Sequence, residues 1–150
     1  KLIEYNARFG DPEAMNVLPL LDADFIEICN SIADGTLNSV DVQFQNKATV
    51  CKYAVPEGYP DKPVKGKPID VSNVVNTDDL FYASVDIQNG QLVEAGSRTV
   101  AVVGIANTIS EAEKIAENEI SAVEGPLFHR TDIGSMQLVN KRVEHMDSLR

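Results

Sequence analysis

Residues 80–95, Leu80-Phe81-Tyr82-Ala83-Ser84-Val85-Asp86-Ile87-Gln88-Asn89-Gly90-Gln91-Leu92-Val93-Glu94-Ala95, set the architecture expected of this chain. Two runs, Leu80 to Gln88 and Gln91 to Ala95, flank Asn89-Gly90, the dipeptide that best tolerates positive φ at both central positions of a two-residue hairpin. Gly96-Ser97 turns the chain again, and Thr99 to Ala106 forms a third run. Three successive strands joined by short turns predict an antiparallel meander. Upstream, Lys47 to Val55 is largely apolar on both faces, with Ala48, Val50 and Ala54 on one and Thr49, Cys51, Tyr53 and Val55 on the other. That pattern fits a strand buried in mid-sheet. Residues 56–68 hold four of the seven prolines and two glycines, hence a long ordered loop.

Helical periodicity surrounds this β-rich region. Phe25, Ile28, Cys29, Ile32 and Ala33 form one apolar stripe, opened by Asp24 with Glu27 three residues on and stopped by Gly35. A shorter helix is expected from about residue 12, with Asp11 as a possible cap, Pro12 in its first turn and Pro19 limiting it. Ser110-Glu111-Ala112-Glu113 reads as a capping box for a helix bearing Ile109, Ala112, Ile115, Ala116, Ile120 and Val123, ending at Gly125-Pro126. Its acidic residues Glu111, Glu113, Glu117 and Glu119 read as a solvated face. A last helix is expected near 136–148, on Met136, Val139, Val143 and Met146. The fold class is therefore α+β. Helices give way to strands near 40–46, so the expected domains are 1–42, a strand plus two helices, and 43–150, β-rich with one or two helices.

Composition excludes several function classes. The 13 Lys plus Arg against 23 Asp plus Glu give a net charge of −10. Such a surface does not replace phosphate counterions, so no nucleic-acid partner is expected, and anionic lipid is equally disfavoured. No apolar run approaches the ~20 residues of a membrane helix, so no membrane partner is expected either. Cys29 and Cys51 are too few for a disulfide framework and read as small buried hydrophobes, in a cytoplasmic setting. The start at Lys1, without Met or a leader pattern, fits a fragment of a longer polypeptide. His129 and His145 are too far apart in sequence for a local metal motif. Lys52, inside an apolar strand, reads either as a surface lysine or as the partner of a buried carboxylate.

The densest chemistry lies in Glu4-Tyr5-Asn6-Ala7-Arg8-Phe9-Gly10-Asp11-Pro12-Glu13. Leu2 to Asn6 alternates apolar and polar, the period of a strand, which places Glu4 and Asn6 on one face with Arg8 continuing it. Two readings fit. These are the solvated face of a half-buried strand, or they are oxygen ligands for a divalent cation shared with nucleotide phosphates. Arg8 then offers a two-point grip on a carboxylate or phosphate. Asp11 reads as a helix cap or as a contact to an amine.

Ile3-Glu4-Tyr5-Asn6-Ala7-Arg8-Phe9-Gly10-Asp11-Pro12-Glu13 resembles the end of the ATP-grasp domain of the phosphoribosylamine–glycine ligase family. Three further stretches resemble that family in the same order: Gly58-Tyr59-Pro60 with Lys65-Gly66, then Gly96-Ser97-Arg98-Thr99-Val100-Ala101-Val102, then Arg130-Thr131-Asp132-Ile133-Gly134. Ser97, where the family often has Gly, and His129, where it often has Arg, depart from the pattern. The resemblance implies an ATP-dependent ligase of purine biosynthesis that joins glycine to 5-phosphoribosylamine through a glycyl phosphate. It implies Mg²⁺ or Mn²⁺ on Glu4 and Asn6, Arg8 as the catalytic and substrate-binding cation, and Asp11 as a substrate contact. Arg98, Arg130 and Asp132 then either line the cleft or form structural ion pairs. The amine-substrate domain and the ATP clamp lie in upstream domains of the same polypeptide, so this chain alone is expected to be inactive. Two alternatives stand beside it: a noncatalytic barrel-sandwich-like binding module, or another ATP-grasp carboxylate–amine ligase of purine synthesis.

Overall fold

The computed structural model describes residues 2–149. The chain is α+β and divides into two compact units, one running to Lys47 and the other beginning at Ala48.

In the first unit, α1 (Glu13–Val17) passes into a 3₁₀ turn, Leu18–Leu20. Pro19 forces this change, because it has no N–H to continue the α-ladder. In α2 (Phe25–Asp34), Asp24 caps the start by accepting from the N–H groups of Ile26 at 2.8 Å and Glu27 at 3.1 Å. Gly35 ends it at φ 70°, a conformation that costs a side chain free energy. Residues 43–45 return to 20–22: the Asp22 N–H donates to the Gln43 carbonyl at 2.9 Å and Gln45 N–H to Leu20 at 2.8 Å.

Two expectations fail in this unit. Leu2 to Asn6 forms no strand, and residues 2–9 are all exposed, Ile3 to 95%. A strand exists only with a hydrogen-bonded neighbour, and no ladder among the described residues takes this segment in. The stripe of α2 is correctly amphipathic yet exposed, Phe25 to 43% and Ile32 to 59%, and Cys29 is exposed rather than buried. A unit of this size has too little chain to cover such a stripe.

The second unit is built on β1 (Ala48–Pro56), β2 (Leu80–Tyr82), β3 (Val85–Gln88), β4 (Gln91–Glu94), β5 (Val100–Ala106) and β6 (Leu127–His129), with α3 (Ile109–Ser121) and α4 (Met136–Ser148). One sheet has the order β2-β5-β1-β6, and β3 and β4 form a second. All pairs are antiparallel, with Ala48 opposite Ala106 and Ala54 opposite Val100. The buried central position of β1 is as its apolar faces required. Asn89 and Gly90 close the β3–β4 hairpin at φ 52° and 77°.

The meander is corrected: the run 80–88 breaks at Ala83-Ser84, so β2 joins β5 while β3 joins β4. The Ala83 and Ser84 N–H groups donate to Thr99 and Arg98, each at 2.9 Å, and this carries the chain from one sheet to the other. The three-residue β6 carried no readable period.

Helix α3 covers the main sheet, burying Ala112, Ala116 and Ile120 against Val50, Ala54, Val100 and Val102. Close approach requires Gly104 on β5: a Cβ there would meet the backbone of Ala112 and Ala116. The capping box is real but sits two residues earlier than expected. Thr108 Oγ1 accepts from the Glu111 N–H at 3.2 Å, and Glu111 accepts in return from the Thr108 N–H at 3.2 Å. Both Thr108 and Ser110 have Glu three residues on. Starting at Thr108 frees Glu113 for another partner.

Candidate functional site

The four sequence-predicted site residues lie in one exposed segment of the first unit. Glu4 and Asn6 are together: Asn6 Nδ2 donates to Glu4 Oε1 at 3.0 Å. Their adjacency arises from spacing, since an extended backbone puts i and i+2 on one side even without a sheet. Arg8 is not drawn in with them. Its guanidinium donates to the Phe9 carbonyl at 3.0 Å, which uses one of five N–H donors. Asp11 is exposed, and the N-cap position of α1 is held by Pro12, which makes no side-chain cap bond.

The donor chemistry fits a hard cation. Glu4 supplies a carboxylate, and the Asn6 amide has a carbonyl oxygen besides the N–H₂ it turns to Glu4. Two oxygens do not make a closed cage, and among the described residues no cluster of three or more His, Cys, Asp or Glu supplies one. A cation held at Glu4 and Asn6 would have to take its remaining ligands from water or from a polyanionic ligand.

The second unit contains a charged network around Lys52. Of the two readings open for it, surface lysine or carboxylate partner, Lys52 takes the second, with Glu113 and Glu117 as the partners the sequence left unnamed. Lys52 is buried to 1% exposure on β1. Its ammonium donates to Glu113 at 2.7 Å, to Glu117, and to the Thr131 carbonyl at 3.2 Å. His129 on β6 contacts the other Glu117 oxygen at 3.1 Å. Burial alone would push the Lys52 ammonium down, but hydrogen bonds and charge from the two glutamates outweigh it and hold it above its ordinary value. Burial likewise pushes Glu117 up, and Lys52 and His129 outweigh that and hold it below the usual carboxylate range.

The acidic face of α3 is thus not simply solvated. Glu111 caps, Glu113 and Glu117 hold Lys52, and Glu119 accepts from the backbone N–H groups of Val75 and Asn76. A lysine on a core-facing strand position, with two glutamates one helical turn apart downstream, was the signal available.

The motif residues of this unit fall into separate local contacts. Arg130 grips Asp132 with two hydrogen bonds, 2.9 and 2.7 Å, in an exposed pair. Arg98 stacks over the Tyr53 ring, 5.1 Å from its centroid. The stem of Lys65 lies over Gly96, where a Cβ would strike it, so the second and third motifs meet there.

The profile of the phosphoribosylglycinamide synthetase C domain matches residues 49–136, which run from β1 to the start of α4. The chain belongs to the phosphoribosylglycinamide synthetase C-domain family. The phosphoribosylamine–glycine ligase of Methanocaldococcus jannaschii is 56% identical over 100% of this chain and 34% of its own length. That of Methanococcus vannielii is 55% identical over 99% of this chain and 34% of its own length. The crystal structure of phosphoribosylamine–glycine ligase from Thermotoga maritima superposes with a TM-score of 0.66 at 28% identity, covering 88% of this chain and 33% of that one. The chain thus spans about a third of the length of the curated relatives it matches. Relatives of this family align along the whole chain, so the Glu4–Asp11 segment lies within the aligned region although it precedes the C-domain profile. No helix among the described residues is long and apolar enough to cross a membrane.

Proposed function

We propose that this chain is the C-terminal part of an ATP-dependent ligase that joins glycine to 5-phosphoribosylamine through a glycyl phosphate, in the cytoplasm. The observation that carries this reading is the 56% identity along the whole chain to a phosphoribosylamine–glycine ligase. In this reading residues 1–42 are the tail of an ATP-grasp lobe, and residues 43–150 are the C-terminal domain that follows it. Upstream domains of the same polypeptide supply the amine-substrate pocket and the ATP clamp.

Within this reading each residue has a role. Glu4 and Asn6 hold Mg²⁺ or Mn²⁺ between them. The bound cation supplies charge neutralisation on the transferred phosphoryl group. Arg8, turned from the Phe9 carbonyl, places its guanidinium on the charge that develops as glycine's carboxylate is phosphorylated. Asp11 accepts a hydrogen bond from the substrate amine. Because catalysis here is positioning plus electrostatics, one wall of the cleft alone gives no turnover.

The test is ADP release that requires both glycine and freshly generated 5-phosphoribosylamine. It is run on the full-length parent, on this chain alone, and on the parent with Glu4→Ala. The expected result is activity in the unmutated parent, none in this chain, and a loss of about a hundredfold or more in the variant. A parent indifferent to glycine overturns the substrate assignment. A parent unharmed by Glu4→Ala overturns the metal site.

A further inference from the structure

Among the described residues, Glu94 is a buried carboxylate that no role above absorbs. It lies on β4 with 1% of its surface exposed, and neither carboxylate oxygen has a hydrogen-bond partner among the described residues. Lys52, equally buried, shows what a satisfied charge looks like in this unit, with two carboxylates and a carbonyl around it. The groups that act on Glu94 come from the two limbs of one loop. Glu57 follows β1 on the outgoing limb and repels an ionised Glu94; Lys67 on the returning limb attracts it. That loop carries the motif residues Gly58-Tyr59-Pro60 and Lys65-Gly66. Its returning limb hangs on the backbone of Glu94 itself. The Gly66 N–H donates to the Glu94 carbonyl at 2.8 Å, and the Glu94 N–H donates to Lys67 at 3.1 Å. Pro68 bridges Val93, and the Ile69 N–H donates to Leu92 at 2.9 Å.

We propose that Glu94 is a proton-operated latch on the 57–68 loop: as the neutral acid it stays buried and the loop stays seated on β4, and as the carboxylate it must reach water, which unseats the loop. An ionised carboxylate without a partner is among the costliest groups to bury. The neutral acid is far cheaper, and loss of its proton to water needs no other reactant. Burial first, and then the charge of Glu57, hold the Glu94 carboxyl above its ordinary range against the opposing pull of Lys67. The latch therefore opens as pH rises. It sets the position of the Gly58–Pro60 and Lys65–Gly66 motif residues independently of the ligase reading.

The test is amide hydrogen exchange of Gly66 and Glu94 in this 150-residue chain, from about pH 5 to about pH 9, with rates corrected for intrinsic exchange. Protection in the unmutated chain is expected to fall about tenfold per pH unit between the ordinary glutamate value of 4.5 and the Glu94 midpoint, where the closed state still holds the proton that the open state has lost, and to level off above the midpoint. Glu94→Gln, neutral throughout, is expected to keep its protection across the range. A carboxyl-carbon NMR titration of the unmutated chain reads the midpoint directly, and Glu57→Gln is expected to lower it. The proposal is overturned by protection in the unmutated chain that is flat or rises with pH, by Glu94→Gln following the unmutated curve, or by a Glu94 midpoint at or below the ordinary glutamate value. If Glu94→Gln does not fold, the titration of the unmutated chain decides alone.

Discussion

Lys52→Met removes the ammonium at the centre of the second unit and keeps the buried stem, so it isolates charge from packing. Breaking a fully buried ion pair by deleting one partner costs about 3–5 kcal/mol, because the other charge is stranded. Here the stranded groups are not fully buried: Glu113 is 19% and Glu117 30% exposed, against 1% for Lys52. Water can rehydrate both carboxylates in part, and the cost of burying the ammonium is relieved. The Thr131 carbonyl loses its donor as well. These offsets bring the expected loss to about 2–3 kcal/mol. For a unit of this size that lowers Tm by about 10–15 °C. Urea unfolding followed by far-UV circular dichroism measures it. Lys52→Met combined with Glu117→Gln should lose less than the two single changes added, by about 1 kcal/mol, since one stranded charge is gone. A single-variant loss under about 0.5 kcal/mol, or strict additivity in the pair, refutes the claim that the ammonium is held by these carboxylates.

Three further outcomes are expected. Glu117 is held below its ordinary value of 4.5, so the unfolded chain takes up its proton first. Its contribution is complete above that value and is lost as pH falls below it, and Glu117→Gln should flatten the acid limb of a stability–pH curve. Gly104→Ala should cost about 2–4 kcal/mol in urea unfolding, because the added Cβ drives the α3 backbone off β5. Thr108→Ala should cost about 1 kcal/mol and Ser110→Ala only a few tenths, which separates the observed capping box from the one at Ser110.

Local chemistry was legible wherever partners lie close in sequence. Asp24 and Gly35 bounded α2, Pro19 ended α1, and Asn89-Gly90 formed the hairpin, because each acts on backbone within a few residues. Glu4 and Asn6 meet for the same reason: a two-residue spacing brings their side chains to 3.0 Å with no help from the fold. Misreadings arose where two local signals compete. Thr108 and Ser110 both offer a capping box, and the register that seats Ala112 and Ala116 against Gly104 selects the first.

The sequence by itself determined the α+β class, both ends of α2, the tight hairpin and the residues that carry the family resemblance, since these follow from backbone preference, period and motif. Tertiary structure alone decided how the strands outside that hairpin pair. A break at Ala83-Ser84 sends β2 and β3 into different sheets, and strand pairing is a contact between distant residues that no local period encodes. It also decided the fates of the charged groups. Lys52 meets Glu113 and Glu117 across more than sixty positions of chain, and Glu94 on β4 lies buried under the opposing charges of Glu57 and Lys67 from the two limbs of one loop. The free energy of a charge depends on what surrounds it in space, and only the folded chain supplies those surroundings.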